Sequence, residues 1–131
     1  MNKIEEFLKE TNAFFLATCD GDQPRCRPLG LHFVYGGKLM FGVGDFKEVY
    51  KQLVRNPKVE LVALKSDGHW LRYTGKAVFE DDPACAEAAL DAMPHLRNIY
   101  NEQTGYKMKT FSIEDASAYD IPVMGIGEKL L

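Results

Sequence analysis

The residues with chemistry to offer are cations set among glycines. Arg25 and Arg27 lie in an apolar run of strand character, Gly42 and Gly44 end a second apolar run, and Lys47 and Lys51 follow where a helical pattern begins. Glycine admits close approach of backbone to a ligand, and a helix N-terminus offers free N–H groups to an anion. Added cations make phosphate the natural candidate. Burying an arginine without a partner is costly, so Arg27 either sits in solvent at a strand end or meets an anion. Pro28 cannot donate a ladder hydrogen bond and belongs on an edge or beside a break. A cation such as Lys47 in a first helical turn is mildly unfavourable for the helix, and a bound phosphate would offset that. The plain alternative is a frayed edge with solvated cations.

The rest of the composition narrows the field. At 131 residues the chain is expected to form one domain, residues 1–131, with 46% hydrophobic residues to build a core. A net charge of −3 and no basic cluster argue against nucleic acid as a partner. No apolar run is long enough for a membrane span, and the charged start MNKIEEFLKE does not resemble a signal peptide. Three cysteines without a CxxC spacing argue against a disulfide framework or a zinc site and fit a reducing cytoplasm. His32, His69 and His95 are far apart in sequence, so no metal site is expected.

Several elements must hold the cations in place. Residues 3–10 predict a short amphipathic helix. Residues 13–19 (AFFLATC) predict a central strand buried on both faces. A turn at Asp20-Gly21-Asp22 leads to one strand over 25–35, with Arg25, Arg27, Leu29, Leu31 and Phe33 in register. Gly36-Gly37 turns the chain into a strand over 38–43. Asp45 is the expected N-cap of the next helix, with Glu48 completing a capping box and Pro57 ending the segment. Strands follow over 59–64 and 69–80, the latter placing Trp70 and Arg72 together on its more polar face, a pattern of interfaces and ligand edges. Asp82-Pro83 opens a helix that Pro94 ends, and a further helical turn is expected over 95–100. Residues 108–113 and 116–121 predict a final hairpin turning at Glu114-Asp115. No structure is assigned to 122–131. The inventory is mainly β (α+β), a six- to seven-stranded antiparallel barrel with peripheral helices.

Three segments, FFLATCDGDQPRCRPLG (14–30), KLMFGVGDFKEVYKQLVRNPKVEL (38–61) and HWLRYTGKAVFEDD (69–82), resemble the pyridoxamine 5′-phosphate oxidase-like family of flavin-binding split β-barrels. The resemblance is narrower to its small nitroimidazole-resistance (Nim-type) members, and it spans roughly residues 4–115. It implies an FMN-binding protein, a flavin-dependent reductase of a small electron-poor substrate, with FMN at a homodimer interface. A non-catalytic flavin-, heme- or deazaflavin-binding module is the alternative. The implied FMN-binding residues are Arg27 and Lys47 at the phosphate, with Lys51 as substitute. Pro28, Leu29 and Gly30 would lie against the ring, and Gly42 and Val43 at the phosphate and ribityl chain. Trp70 and Arg72 would come from the partner subunit. Val43 stands where many members carry a threonine or serine, which removes one hydroxyl contact. The Arg-and-Trp C-terminal segment of the longer pyridoxamine phosphate oxidases has no counterpart here, so that particular activity is not expected. No catalytic residue is implied; His32, on the strand expected beside the ring, is a weak candidate.

Overall fold

The computed structural model describes residues 2–131. Its elements run α1 (Lys3–Lys9), β1 (Phe14–Asp20), β2 (Gln23–Leu29), β3 (His32–Tyr35), β4 (Lys38–Gly44) and α2 (Glu48–Arg55). β5 (Lys58–Leu64), β6 (Trp70–Glu80), α3 (Pro83–Ala92), a 3-10 turn (Pro94–Asn98), β7 (Met108–Ile121) and β8 (Glu128–Lys129) follow. The strands form one antiparallel sheet in the order β2-β1-β5-β6-β7-β4-β3, with β8 added beside β7. The sheet coils on itself, so that Phe14 on β1 meets Phe41 on β4 edge-on with ring centres 5.4 Å apart. This is the split-barrel α+β architecture, with eight strands rather than six or seven.

The core follows from strand alternation. Phe14, Leu16, Leu61, Leu71 and Phe111 point inward and are essentially inaccessible, joined by Phe7 and Leu8 of α1 and Val49 and Leu53 of α2. A second cluster forms where Cys85, Ala89 and Leu90 of α3 cover Leu31, Phe33, Met40 and Met108. Gly36 and Gly37 both adopt positive φ, 58° and 77°, the requirement of a two-residue hairpin loop between Tyr35 and Lys38.

Four sequence expectations need correction. The strand expected over 25–35 is two strands, broken at Gly30 and Leu31, because the chain must leave one sheet edge, β2, for the other, β3. β1 is central in the sheet but buried on one face only; Phe15 is 45% exposed. The hairpin expected at Glu114-Asp115 is absent. β7 continues through it with a β-bulge, Asp115 taking φ 50° where the register to β6 shifts between Thr74 and Lys76. Turns and bulges draw on the same left-handed backbone, which aspartate tolerates. The Asp45–Glu48 capping box does not form. Asp45 instead pairs with Lys107: its N–H donates to the Lys107 carbonyl at 3.0 Å, and its Oδ1 accepts from the Lys107 N–H at 3.1 Å. The N-cap is Lys47, which has no capping side chain. Tertiary pairing has outcompeted the local cap.

The remaining ends match expectation more closely. Asp82 caps α3, its side chain accepting from the Ala84 N–H at 3.0 Å, and Pro83 begins the helix. The tail, unassigned from sequence, returns to the sheet: the Leu130 N–H donates to the Ala118 carbonyl at 2.7 Å, and Leu130 packs against the core.

Candidate functional site

A cleft of about 530 Å³ opens where the exit of β2, the end of β4 and the start of α2 converge. It is lined from β2 to β3 by residues 27–31, from β4 by Gly42, Val43 and Gly44, and from α2 by Lys47, Glu48 and Val49. Met93, Leu96, Tyr100 and Met108 form a wall of largely apolar character. Seven of the ten expected FMN-binding positions, Arg27, Pro28, Leu29, Gly30, Gly42, Val43 and Lys47, line the cleft, whereas Lys51 does not. Lys51 lies a turn further along α2 and pairs with Glu48 at 3.2 Å, which offsets the carboxylate nearest the cleft.

Arg27 is the most constrained side chain of the group. Its Nη1 donates to the Thr18 hydroxyl at 2.7 Å and to the Leu16 carbonyl at 3.2 Å, and its Nη2 donates to Gln52 Oε1 at 2.6 Å. The Thr18 hydroxyl in turn donates to the same Gln52 oxygen at 2.6 Å. Thr18 is 3% and Gln52 6% exposed, so this is a buried network. The sequence solution to the arginine is therefore a third one: neither bare solvent nor an anion alone, but partial internal satisfaction. Burial holds the guanidinium pKa below its usual value, with Cys26 opposing and Arg25 reinforcing that shift, yet a guanidinium remains charged at any ordinary pH. Arg25 points elsewhere, to Asp20 at 3.2 Å.

The α2 terminus adds backbone donors. Because Lys47 supplies no capping side chain, the N–H groups of Glu48 and Val49, at the first two helical positions, have no partner among the described residues. Gly42 and Gly44 are required by their neighbours: a Cβ on Gly42 would stand 2.7 Å from Met108 Sδ, and one on Gly44 2.5 Å from the Tyr100 hydroxyl. Burial, then Asp45, raises the Tyr100 pKa, so its hydroxyl stays protonated and can donate into the cleft. Phe46 stacks on Tyr106 with centres 4.0 Å apart, and Lys47 lies 5.1 Å over the Phe46 ring.

His32 is not part of this site. It is half-buried, its ring 6.4 Å from that of Phe14, and burial lowers its pKa while Glu5 opposes. Trp70 and Arg72 are also outside the cleft. They stack on each other at 4.9 Å, with Arg72 3.6 Å from Glu60. One cross-strand row runs Pro28, Phe15, Val62, Arg72 and Tyr119. Three strand spacings separate Pro28 from Arg72, roughly 14 Å at about 4.8 Å each, too far for Arg72 to serve the cleft of its own chain.

Sequence reading missed Thr18, Gln52, Met93, Leu96, Tyr100 and Met108. Thr18 shares the inward parity of Phe14 and Leu16, and Gln52 falls three residues after Val49 on the buried face of α2. A polar residue at a core position was the available signal for both.

Comparison with known proteins agrees with this architecture. The family model described as pyridoxamine 5′-phosphate oxidase matches residues 1–115. A NimC/NimA family protein from Clostridium acetobutylicum is 37% identical, with a TM-score of 0.89, 98% of this chain covered and 89% of that one. A heme binding protein from Mycobacterium smegmatis is 18% identical with a TM-score of 0.69, over 92% of this chain and 53% of that one. General Stress Protein 26 from Bacillus anthracis is 18% identical with a TM-score of 0.70, over 98% and 96%. The last two likenesses bear on fold alone. No curated protein matches the chain. The family match over most of the chain and the 37% identity together place the chain in the pyridoxamine 5′-phosphate oxidase-like family, among its small Nim-type members.

Proposed function

We propose that the protein binds FMN in the cleft at Arg27, at the interface of a homodimer, and serves as a flavin-dependent reductase of small electron-poor compounds. The observation that carries this reading is the convergence in one cleft of a partly satisfied arginine, an uncapped helix start with Lys47, and an apolar wall. A volume of about 530 Å³ falls within the range of cofactor and ligand sites, about 300–1,000 Å³.

The chain's own residues fit the group. Arg27, Lys47 and the N–H groups of Glu48 and Val49 would hold the phosphate. The backbone at Pro28, Leu29 and Gly30 and the side chains of Leu31, Met93 and Leu96 would bound the ring and exclude water. Tyr100 would offer a hydroxyl donor. Bound FMN would supply the redox chemistry, with the chain setting orientation and electrostatics. The dimer is supported by the outer sheet face, where Leu64, opposite Trp70, and Phe15, in the cross-strand row of Arg72, are 62% and 45% exposed. Exposed apolar patches of this kind mark association sites.

The test is an absorbance spectrum of purified protein with and without added FMN, beside its size in solution. The expected result is a flavin spectrum in a particle of two chains, lost when Arg27→Ala is combined with Lys47→Ala. A protein that takes up no FMN, or takes up heme in its place, overturns the reading.

A further inference from the structure

The geometry points to Gln52 and Thr18 as positioning residues that lock one edge of the Arg27 guanidinium and thereby present its other edge to a phosphoryl group. This rests on the FMN reading above and extends it to two residues that do not line the cleft. A guanidinium has five N–H donors in a fixed plane. The end edge, shared by Nη1 and Nη2, is taken by Thr18 Oγ1 at 2.7 Å and Gln52 Oε1 at 2.6 Å. The outer Nη1 proton is taken by the Leu16 carbonyl at 3.2 Å. What remains is the side edge: Nε–H and the second Nη2 proton, two parallel donors without a partner among the described residues. That pair matches two oxygens of one phosphate.

The network admits one arrangement. The Thr18 hydroxyl accepts from Arg27, so its own proton is free for Gln52 Oε1, where it donates at 2.6 Å. Gln52 Oε1 therefore accepts twice, and the opposite amide orientation would set N–H groups against N–H groups. Both residues are buried on rigid elements, β1 and α2. The guanidinium is thus held before any ligand arrives, and binding need not pay to order it. Glu48, the one carboxylate lining the cleft, is paired to Lys51 at 3.2 Å and does not enter the network.

The experiment measures equilibrium binding of FMN and of riboflavin, which lacks the phosphate, by quenching of flavin fluorescence. The proteins are the natural chain, Arg27→Ala, Gln52→Leu, Thr18→Val and Thr18→Ser, each with its thermal melt recorded. The natural chain is expected to prefer FMN, and Arg27→Ala to cut that preference by more than about tenfold, with Lys47 and the α2 N–H groups holding what remains. Gln52→Leu and Thr18→Val are each expected to weaken FMN about tenfold, as loss of a hydrogen bond to a charged group does, with riboflavin affinity unchanged. Thr18→Ser, which keeps the hydroxyl, is expected to bind FMN as the natural chain does. Thr18→Val decides the matter if Gln52→Leu fails to fold. Equal loss of FMN and riboflavin, or no loss of FMN in a folded variant, overturns the positioning role while the FMN reading stands. A natural chain that binds no FMN overturns both.

Discussion

The two arginine sites of this chain are built in opposite ways. Arg27 is half-buried, with three internal acceptors. Arg72 lies on the outer sheet face, stacked on Trp70 and loosely paired with Glu60 at 3.6 Å, amid exposed Phe15 and Leu64. The inner site is organised by its own chain. The outer one has surface to bury and little that fixes it. In the proposed dimer the outer face of one chain completes the cleft of the other, so pre-organisation lies on one side and adaptability on the other.

Charge placed on the outer face should separate the two chains. Phe15→Asp combined with Leu64→Asp adds two charges to the face proposed to be covered. The dimer dissociation constant is expected to rise by about a hundredfold or more, from a few kcal/mol of desolvation. The isolated chain should keep its fold, because neither side chain is in the core. Sedimentation or gel filtration across a dilution series reads the outcome. An unchanged dimer would mean that chains associate through another face.

A second, smaller effect tests how tightly the inner side is packed. Gly44→Ala brings a Cβ to within 2.5 Å of the Tyr100 hydroxyl and 2.9 Å of Phe46. The expected cost is about 1–3 kcal/mol of stability. Adding Tyr100→Phe removes the nearest atom and should recover part of that cost, a coupling of at least about 0.5 kcal/mol. Thermal or denaturant unfolding of the four members of the cycle measures it. Strict additivity would show that Tyr100 moves away freely and that the wall is loose.

The same division explains what was legible in the sequence. Period-two alternation and the Gly36-Gly37 turn delivered the strands and the hairpin, because those signals are local. That Arg27, Gly42 and Lys47 would meet at one cleft was also legible, since a cation or glycine in an apolar frame is conspicuous. The failures were competitions that local pattern cannot decide. Asp45 could cap α2 or pair with Lys107, and only the arrival of the segment before β7 settles it. Asp115 could turn the chain or bulge it, and β6, continuous opposite, selects the bulge. Gln52 was the residue whose signal was present but unused, a polar side chain on the buried stripe of a helix with an unexplained arginine on the neighbouring strand.

The smallest expected effect comes from two histidines, one on each kind of surface. His69 Nδ1 lies 2.6 Å from Asp120 Oδ1, and this hydrogen bond raises its pKa. His32 is half-buried, and burial lowers its pKa. Both start from an unfolded value of about 6.5. A raised folded pKa gives stability that is complete below about 6.5 and lost as pH climbs through the folded value. A lowered one gives the reverse: stability complete above about 6.5 and lost as pH falls through the folded value. The two contributions thus occupy opposite flanks of neutrality. Asp120→Asn should flatten the decline of melting temperature on the alkaline flank and leave the acid flank alone. His32→Gln should flatten the acid flank only. Melts across pH 5 to 9, roughly the span over which such groups titrate, separate the two. If both variants changed the same flank, the two histidines would share one environment, and the contrast between a packed inner side and an open outer one would not extend to them.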